Sequence, residues 1–213
     1  GGRMSKRQQW AYENLRDTDV LPPSDRGIDF RGLFGNVNPV VVEIGFGNGM
    51  ATAGIAEVNP QINYLGIEVF KAGIGNLLSV LHDRGLENVR IIEGDAGEII
   101  RVMIPEKSLH GIHVFFPDPW PKKKHHKRRL LQPEFLSVLT AKLEEPGYLY
   151  FVTDWEDYAF YALKTFEGEP GLSNRFDRFA PPQVWRPVTR FEEKGIEKRH
   201  SIFELLYEKR GER

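Results

Sequence analysis

From Val40 onward, short apolar runs alternate with amphipathic stretches, and this alternation predicts repeated strand–helix units. Val40-Val41-Val42-Glu43-Ile44 is apolar at nearly every position, the pattern of a strand covered on both faces. Runs at 64–68, 89–93, 109–116 and 148–152 repeat it. Between them the period lengthens. In 71–84, Ile74, Leu77, Leu78 and Leu81 fall three and four apart on one helical stripe, and Gly85 stops it. Further helices are predicted at 51–58, ahead of Pro60, and after Gly94-Asp95 as far as Met103. Pro133, favoured in a first turn, opens another, and 155–166 is the last. Residues 201–207 close with strand-like alternation. Such units imply an α/β fold, a mostly parallel sheet with helices on both faces. Ahead of them lie a helical stretch at 6–16 and a connector at 20–36 that carries Pro22, Pro23, Gly27, Gly32 and Gly35. The expected organisation is therefore an N-terminal helix and connector, 1–36, free to move, followed by one domain, 37–213.

Composition narrows the class. The 213 residues are 40% hydrophobic and 28% charged, the balance of a soluble globular protein. No run approaches the roughly 18 apolar residues of a membrane helix, so no membrane partner is expected. Cysteine is absent, which excludes disulfides, thiolate catalysis and Cys-ligated zinc and suits a cytoplasmic setting. A first residue other than Met suggests a trimmed N-terminus. The net charge is −1, yet Lys122, Lys123, Lys124, Lys127, Arg128 and Arg129 crowd into one short run. The rest of the chain carries a net charge of −7. A dense basic patch on an acidic body orients a polyanion, although a solvated charged loop is the plainer alternative.

In a parallel sheet, ligands lie beyond the carboxyl ends of the strands. Glu43 with Gly45, then Glu68, Asp95, Asp118 and Asp154, each fall at the end of a predicted strand. The first loop reads Glu43-Ile44-Gly45-Phe46-Gly47-Asn48-Gly49. A dinucleotide fingerprint counted from Gly45 would need glycine where Met50 stands, and a carboxylate ahead of the loop suits a cation better than a pyrophosphate. Glu68 is placed to accept from two ribose hydroxyls and Asp95 to receive an adenine amino group. A nucleoside with a cationic tail is S-adenosylmethionine, and Glu43, Gly45, Gly47, Gly49, Glu68 and Asp95 are the candidate cofactor residues. A helix-capping Glu43, a surface Glu68 and glycines that only turn the chain are the structural alternatives.

The most informative stretch is Phe115-Phe116-Pro117-Asp118-Pro119-Trp120-Pro121, with the basic run directly after it. A strand that ends in a rigid Asp-Pro-Trp turn delivers one acid and one flat aromatic to a fixed place. Cations of this density read as phosphate contacts, here Lys123, Lys124, Lys127, Arg128 and Arg129 with Lys122. For Lys6, Arg7 and Arg16, solvated charge is preferred over RNA contact. Trp120 has two readings, a platform that stacks on a base and an indole that shields the turn. His125 and His126 have no carboxylate or third His at ligand spacing, so no metal is expected, and His113 is read as a core residue.

Residues 115–129 together with Glu43–Gly49 resemble the bacterial tRNA (guanine-N7-)-methyltransferases. The signature F-F-P-D-P-W-x-K-x-x-H-x-K-R-R is matched through Arg129, and Thr153-Asp154-Trp155 and Thr189-Arg190-Phe191-Glu192 match two further features. The resemblance covers nearly the whole chain. It implies a Rossmann-like class I methyltransferase that uses S-adenosylmethionine to methylate N7 of the guanosine at position 46, in the tRNA variable loop. It also implies that Glu43, Glu68, Asp95 and Asp118 are cofactor-site acids and that Asp118 is catalytic. Lys122, Asp154, Thr189, Arg190, Phe191 and Glu192 would bind substrate. Two departures are visible: Arg190 stands for the usual Lys, and Pro121 stiffens the approach to Lys122. The expected partner is tRNA, and a monomer and a homodimer are both compatible. An amino-group methyltransferase, disfavoured because Trp120 stands in place of a second proline, is the enzymatic alternative. A nicotinamide-dependent dehydrogenase and a non-enzymatic RNA-binding module are the others.

Overall fold

The computed structural model describes residues 3–186, 192–194 and 201–211. They form two compact units, residues 3–105 with 185–186, and residues 106–184 with 192–194 and 201–211. In the first unit, helices α1 (Lys6–Asn14) and α2 (Arg16–Asp19) precede a two-residue strand β1 (Val20–Leu21) and helix α3 (Phe30–Phe34). Then come β2 (Val40–Ile44), α4 (Met50–Val58), β3 (Asn63–Glu68), α5 (Lys71–Arg84), β4 (Val89–Glu93) and α6 (Ala96–Met103). The strands stand in the order β1-β4-β3-β2 and every pair is parallel. Each residue of β2 is buried, as its unbroken apolar run requires. The register is level: Glu43 pairs with Gly66, Ile44 with Ile67 and Glu68 with Glu93, so the loops after β2, β3 and β4 leave one edge.

The second unit holds β5 (Leu109–Phe115), a 3₁₀ helix (Lys123–Arg128), α7 (Pro133–Lys142), β6 (Leu143–Thr153), α8 (Glu156–Glu167), β7 (Leu172–Asn174) and β8 (Phe203–Lys209). Its strand order is β5-β6-β8-β7. β5 and β6 are parallel, and antiparallel pairing enters only with β8 and β7. Helices α7 and α8 pack on β6 and on each other. No helix among the described residues is long and apolar enough to cross a membrane.

The repeated strand–helix reading holds, with the helix at 71–84 and the strand at 89–93 in place. The differences are local. The helix expected over 6–16 breaks at Leu15, whose φ of −109° leaves the helical region. The connector at 20–36 contains β1 and α3, both too short to show periodicity. β6 begins at Leu143, five residues ahead of the expected start. The register slips between Leu109 and Gly111, so Glu144-Glu145-Pro146-Gly147 is an irregular part of the strand.

Residues 3–36 pack within the first unit. Ser5 caps α1 through a reciprocal bond with Gln8. Helix α1 lies on α5, where Arg7 donates to Ser79 and Asp83, each at 2.8 Å. Tyr12 Oη and Arg16 Nη1 both donate to Glu93 at the end of β4, at 2.8 and 2.9 Å. Gly75 permits the approach: a Cβ there would fall on the Gln8 carbonyl oxygen, with the carbonyl carbon only 2.9 Å away. Alanine in a helix interior ordinarily gains about 1 kcal/mol over glycine. At position 75 backbone would have to move to admit it, and the clash outweighs the gain. Gly75→Ala is expected to lower the melting temperature and to speed amide exchange across residues 6–14; a rise in melting temperature would refute this packing.

Candidate cofactor and substrate sites

In the first unit the loop after β2 is fixed from within. Gly45 N–H donates to the Ile67 carbonyl at 2.8 Å, and Gly47 N–H to Glu68 Oε1 at 2.9 Å. From α5, Asn76 Nδ2 donates to the Asn48 carbonyl at 2.7 Å. The Phe46 ring lies on Gly66, where a Cβ would come 2.6 Å from it. On its other side the loop is open. Gly45 and Gly47 have φ of 68° and 63°, and a Cβ on either would meet nothing within 4 Å. This is a backbone edge that a ligand can approach closely.

Two carboxylates lie at the strand ends beside this loop. Glu68 accepts from Gly47 through Oε1, and through Oε2 from Val69 N–H at 2.8 Å and Phe70 N–H at 3.4 Å, which leaves Oε1 a second lone pair for a ligand. Glu43 is 3% exposed, and Thr52 Oγ1, in the first turns of α4, donates to its Oε1 at 3.0 Å. Burial pushes the Glu43 carboxyl up from 4.5 to about 7. The Thr52 hydrogen bond opposes that rise and the Glu68 charge adds to it. Asp95 is exposed and caps α6, accepting from Glu98 N–H at 2.9 Å. The capping role expected as an alternative for Glu43 thus belongs to Asp95. The donor set suits a ligand with hydroxyls and positive charge. A nearby cation would restore the ionised form of Glu43.

In the second unit β5 runs into a strained turn. Phe116, at φ 50°, still donates to the Val152 carbonyl at 2.8 Å, and Trp120 has φ 43°. Left-handed backbone at bulky non-glycine residues persists only where surroundings enforce it, and it clusters at functional sites. Asp118 is exposed, and its Oδ1 accepts from Trp120 N–H at 3.2 Å. The half-buried indole has the His125 ring edge-on at 5.9 Å and the Arg128 guanidinium over it at 5.0 Å. Asp154 directly follows β6 and is partly exposed.

Lys122, Lys123, Lys124, Lys127 and Arg128 are exposed on or beside the 3₁₀ helix, as a phosphate-binding surface requires. Arg129 is not. Its side chain is 0% exposed, and a phosphate cannot reach it. It donates through Nε to the Pro119 carbonyl at 2.8 Å and through Nη2 to Asp157 at 2.6 Å. The expected phosphate contact at Arg129 is therefore corrected: its neighbours Tyr158 and Tyr161 and the turn carbonyl take the place of solvent. Arg7 and Arg16 are ion-paired to acids of their own unit and are not simply solvated. His113 is a core residue, 1% exposed, with Nε2 2.8 Å from Tyr148 Oη. Glu192 is buried, and Thr189, Arg190 and Phe191 lie outside the described residues. Sequence reasoning missed Thr52, Asn76 and Asp157. Thr52 and Asp157 sit early in the helix after a site acid, the one positional hint available.

Comparison with known proteins defines the class. A family model described as putative methyltransferase matches residues 37–205. Among solved structures, the 16S rRNA methyltransferase KamB has a TM-score of 0.64 at 16% identity, covering 87% of this chain and 95% of that one. A SAM-dependent O-methyltransferase from Thermotoga maritima has a TM-score of 0.54 at 19% identity, covering 94% and 70%. The fold is that of the class I S-adenosylmethionine-dependent methyltransferases. The tRNA (guanine-N(7)-)-methyltransferase of Bordetella pertussis is 45% identical over 208 residues, 98% of this chain and 82% of its own length. Its counterpart in Alkalilimnicola ehrlichii is 46% identical over 212 residues, 98% and 90%. The chain belongs to the tRNA (guanine-N(7)-)-methyltransferase family.

Glu43 supplies a test with a definite sign. Its carboxyl titrates near 7 in the folded, ligand-free protein and near 4.5 unfolded, so the folded state holds the proton between those values. Stability therefore falls as pH rises from about 4.5 to 7. Glu43→Gln is expected to gain melting temperature relative to the parent across that window and to hold the gain above it. It should bind S-adenosylmethionine less well at pH 8. A gap in melting temperature that does not change with pH would refute the buried acid.

Proposed function

We propose that this chain transfers a methyl group from S-adenosylmethionine to N7 of a guanine in tRNA, and that the guanine lies in the variable loop. The observation that carries the reading is the strained Asp118-Pro119-Trp120 turn, which offers an exposed acid and a partly shielded indole directly ahead of five exposed cations. A guanine base, its sugar–phosphate chain and a carboxylate-seeking edge fit that sequence of groups.

S-adenosylmethionine supplies an electrophilic methyl group when bound. Guanine N7 carries a lone pair and no proton, so the protein needs no strong base there. Its work is alignment and electrostatics, for which good positioning is worth about 7–11 kcal/mol. In the first unit the open Gly45–Gly47 edge, Glu43, Glu68 and Asp95 would hold the cofactor, with Gly49 setting the start of α4. Attack at N7 puts positive charge on the purine and acidifies N1–H and the exocyclic amine. Asp118 would accept from that edge, fixing the base as its charge develops. Asp154 would serve the same base. Lys122, Lys123, Lys124, Lys127 and Arg128 would hold phosphates, and the Thr189–Glu192 segment would complete substrate binding.

The reaction is tested by incubating the protein with bulk tRNA and methyl-labelled S-adenosylmethionine, then digesting the RNA to nucleosides. Label is expected in 7-methylguanosine alone; label in methyladenosine or methylcytidine would overturn the target atom. Asp118→Asn is expected to lower turnover about a hundredfold while changing cofactor affinity little. Unaltered turnover would remove Asp118 from catalysis. The phosphate surface makes tRNA affinity fall steeply with salt. Each Lys→Ala change at 123, 124 or 127 that removes a phosphate contact should reduce the slope of log affinity against log salt by about one. Salt-independent binding would contradict the surface.

A further inference from the structure

Arg129 stands in the basic run, yet its side chain is buried. The strained turn and helix α8 meet on its guanidinium. Nε holds the carbonyl of Pro119 in the middle of the strained turn, at 2.8 Å. Nη2 holds Asp157, in the first turn of α8, at 2.6 Å. The guanidinium lies 4.8 Å from the Tyr158 ring centroid and 5.1 Å from that of Tyr161, both on α8. Its main chain closes the 3₁₀ helix, with N–H donating to His126 at 3.1 Å and the carbonyl accepting from Gln132 Nε2 at 3.0 Å.

We propose that Arg129 is a positioning residue for methyl transfer, one that ties the Asp118 turn to the head of α8 and so fixes Asp118 relative to Asp154. The inference rests on the roles proposed above for those two acids. Three observations support it. The turn needs an external hold: Phe116 and Trp120 both have left-handed backbone, Pro119 has no N–H, and the Trp120–Asp118 bond lies within the turn itself. The hold needs an arginine, because a planar fork reaches two acceptors while its face lies on aromatic rings, and a lysine ammonium can do only part of this. The ion pair is also poorly built for stability alone. The cation is fully buried, its Nη1 has no hydrogen-bond partner among the described residues, and its acid partner is 61% exposed. Half-solvated pairs of this kind stabilise a fold weakly, whereas they do define a geometry.

The test compares Arg129→Lys, Arg129→Met and Asp157→Ala with the parent protein, measuring kcat and KM for tRNA, the salt slope of tRNA binding, the melting temperature and amide exchange over 116–121. Both Arg129 variants are expected to lose about tenfold to a hundredfold in kcat, since misplacement by about 1 Å costs rates of that order. KM for tRNA should change less than kcat, and the salt slope should stay at the parent value. Asp157→Ala leaves the buried guanidinium without its acid, so it should lower the melting temperature as well as kcat, with kcat falling further than the unfolded fraction at the assay temperature explains. Combined with Arg129→Met it should add little further loss. Exchange over 116–121 should quicken in all three, a readout that needs no activity. Parent-like kcat in Arg129→Lys would overturn the proposal, as would a salt slope reduced by one phosphate with kcat intact. So would losses in kcat that track the unfolded fraction. The nucleoside labelled by the parent protein is identified separately. A product other than 7-methylguanosine would overturn the proposed reaction, while the kcat and exchange comparison would still decide the role of Arg129.

Discussion

Level, parallel pairing of β2, β3 and β4 determines where chemistry can sit in the first unit. Because Ile44 stands beside Ile67 and Glu68 beside Glu93, the chain leaves all three strands at the same height. A one-residue slip would turn every side chain to the opposite face of the sheet. It would also separate Glu68 from the Gly47 N–H that it holds at 2.9 Å. The close packing follows from the same register. Gly66 lies level with Glu43 on β3, and its missing side chain leaves room for the Phe46 ring to fold back and pin the loop. Helix α5 comes close for a similar reason, since a Cβ on Gly73 would overlap the Gly47 carbonyl oxygen.

That arrangement opposes stability at two places. Glu43 is buried to the point that its carboxyl rises to about 7, which corresponds to roughly 3 kcal/mol against the ionised fold. The Thr52 hydrogen bond keeps the rise from being larger still. In the second unit, left-handed backbone at Phe116 and Trp120 is the counterpart, typically about 1–3 kcal/mol each. Both features lie at strand ends where ligands are proposed to sit, and both would be relieved or used by a ligand. A cation would restore charge to Glu43, and the strained turn would present Asp118 ready for a base. Cores built from Val41, Val42, Leu149 and Phe151, all 0% exposed, supply the stability that tolerates them.

The strands and long helices were legible because burial imposes a period. Ile74, Leu77, Leu78 and Leu81 are on the stripe of α5 and are 0–2% exposed. The placement of Glu43, Glu68, Asp95, Asp118 and Asp154 at or beside strand ends was legible because the strands themselves were. What could not be read depends on partners distant in sequence. Nothing in Thr52 announces that its hydroxyl reaches a carboxylate on β2, and nothing in Asn76 that its amide grips a loop 28 residues earlier. β1 is held by tertiary pairing, Val20 beside Ile91, and not by local preference. A basic run also says nothing about which of its cations face inward.

That last question is settled by the helix type. In a 3₁₀ helix three residues make a turn, so side chains three apart eclipse one another. The run Lys123–Arg128, closed by Arg129, obeys this spacing. His125 and Arg128 both lie against Trp120, at 5.9 and 5.0 Å. His126 and Arg129 both reach Asp157, at 3.6 and 2.6 Å. Lys124 and Lys127, the remaining row, are exposed. An α-helical period would instead have set His125 above Arg129 and mixed the inward and outward cations. Six positive charges in one short run thus sort into a row that flanks the indole, a row that ties the turn to α8, and lysines left to solvent. The same segment can then hold the Asp118 turn in shape through Arg129 and offer charge to a polyanion through its exposed lysines, with Arg128 at the boundary between the two.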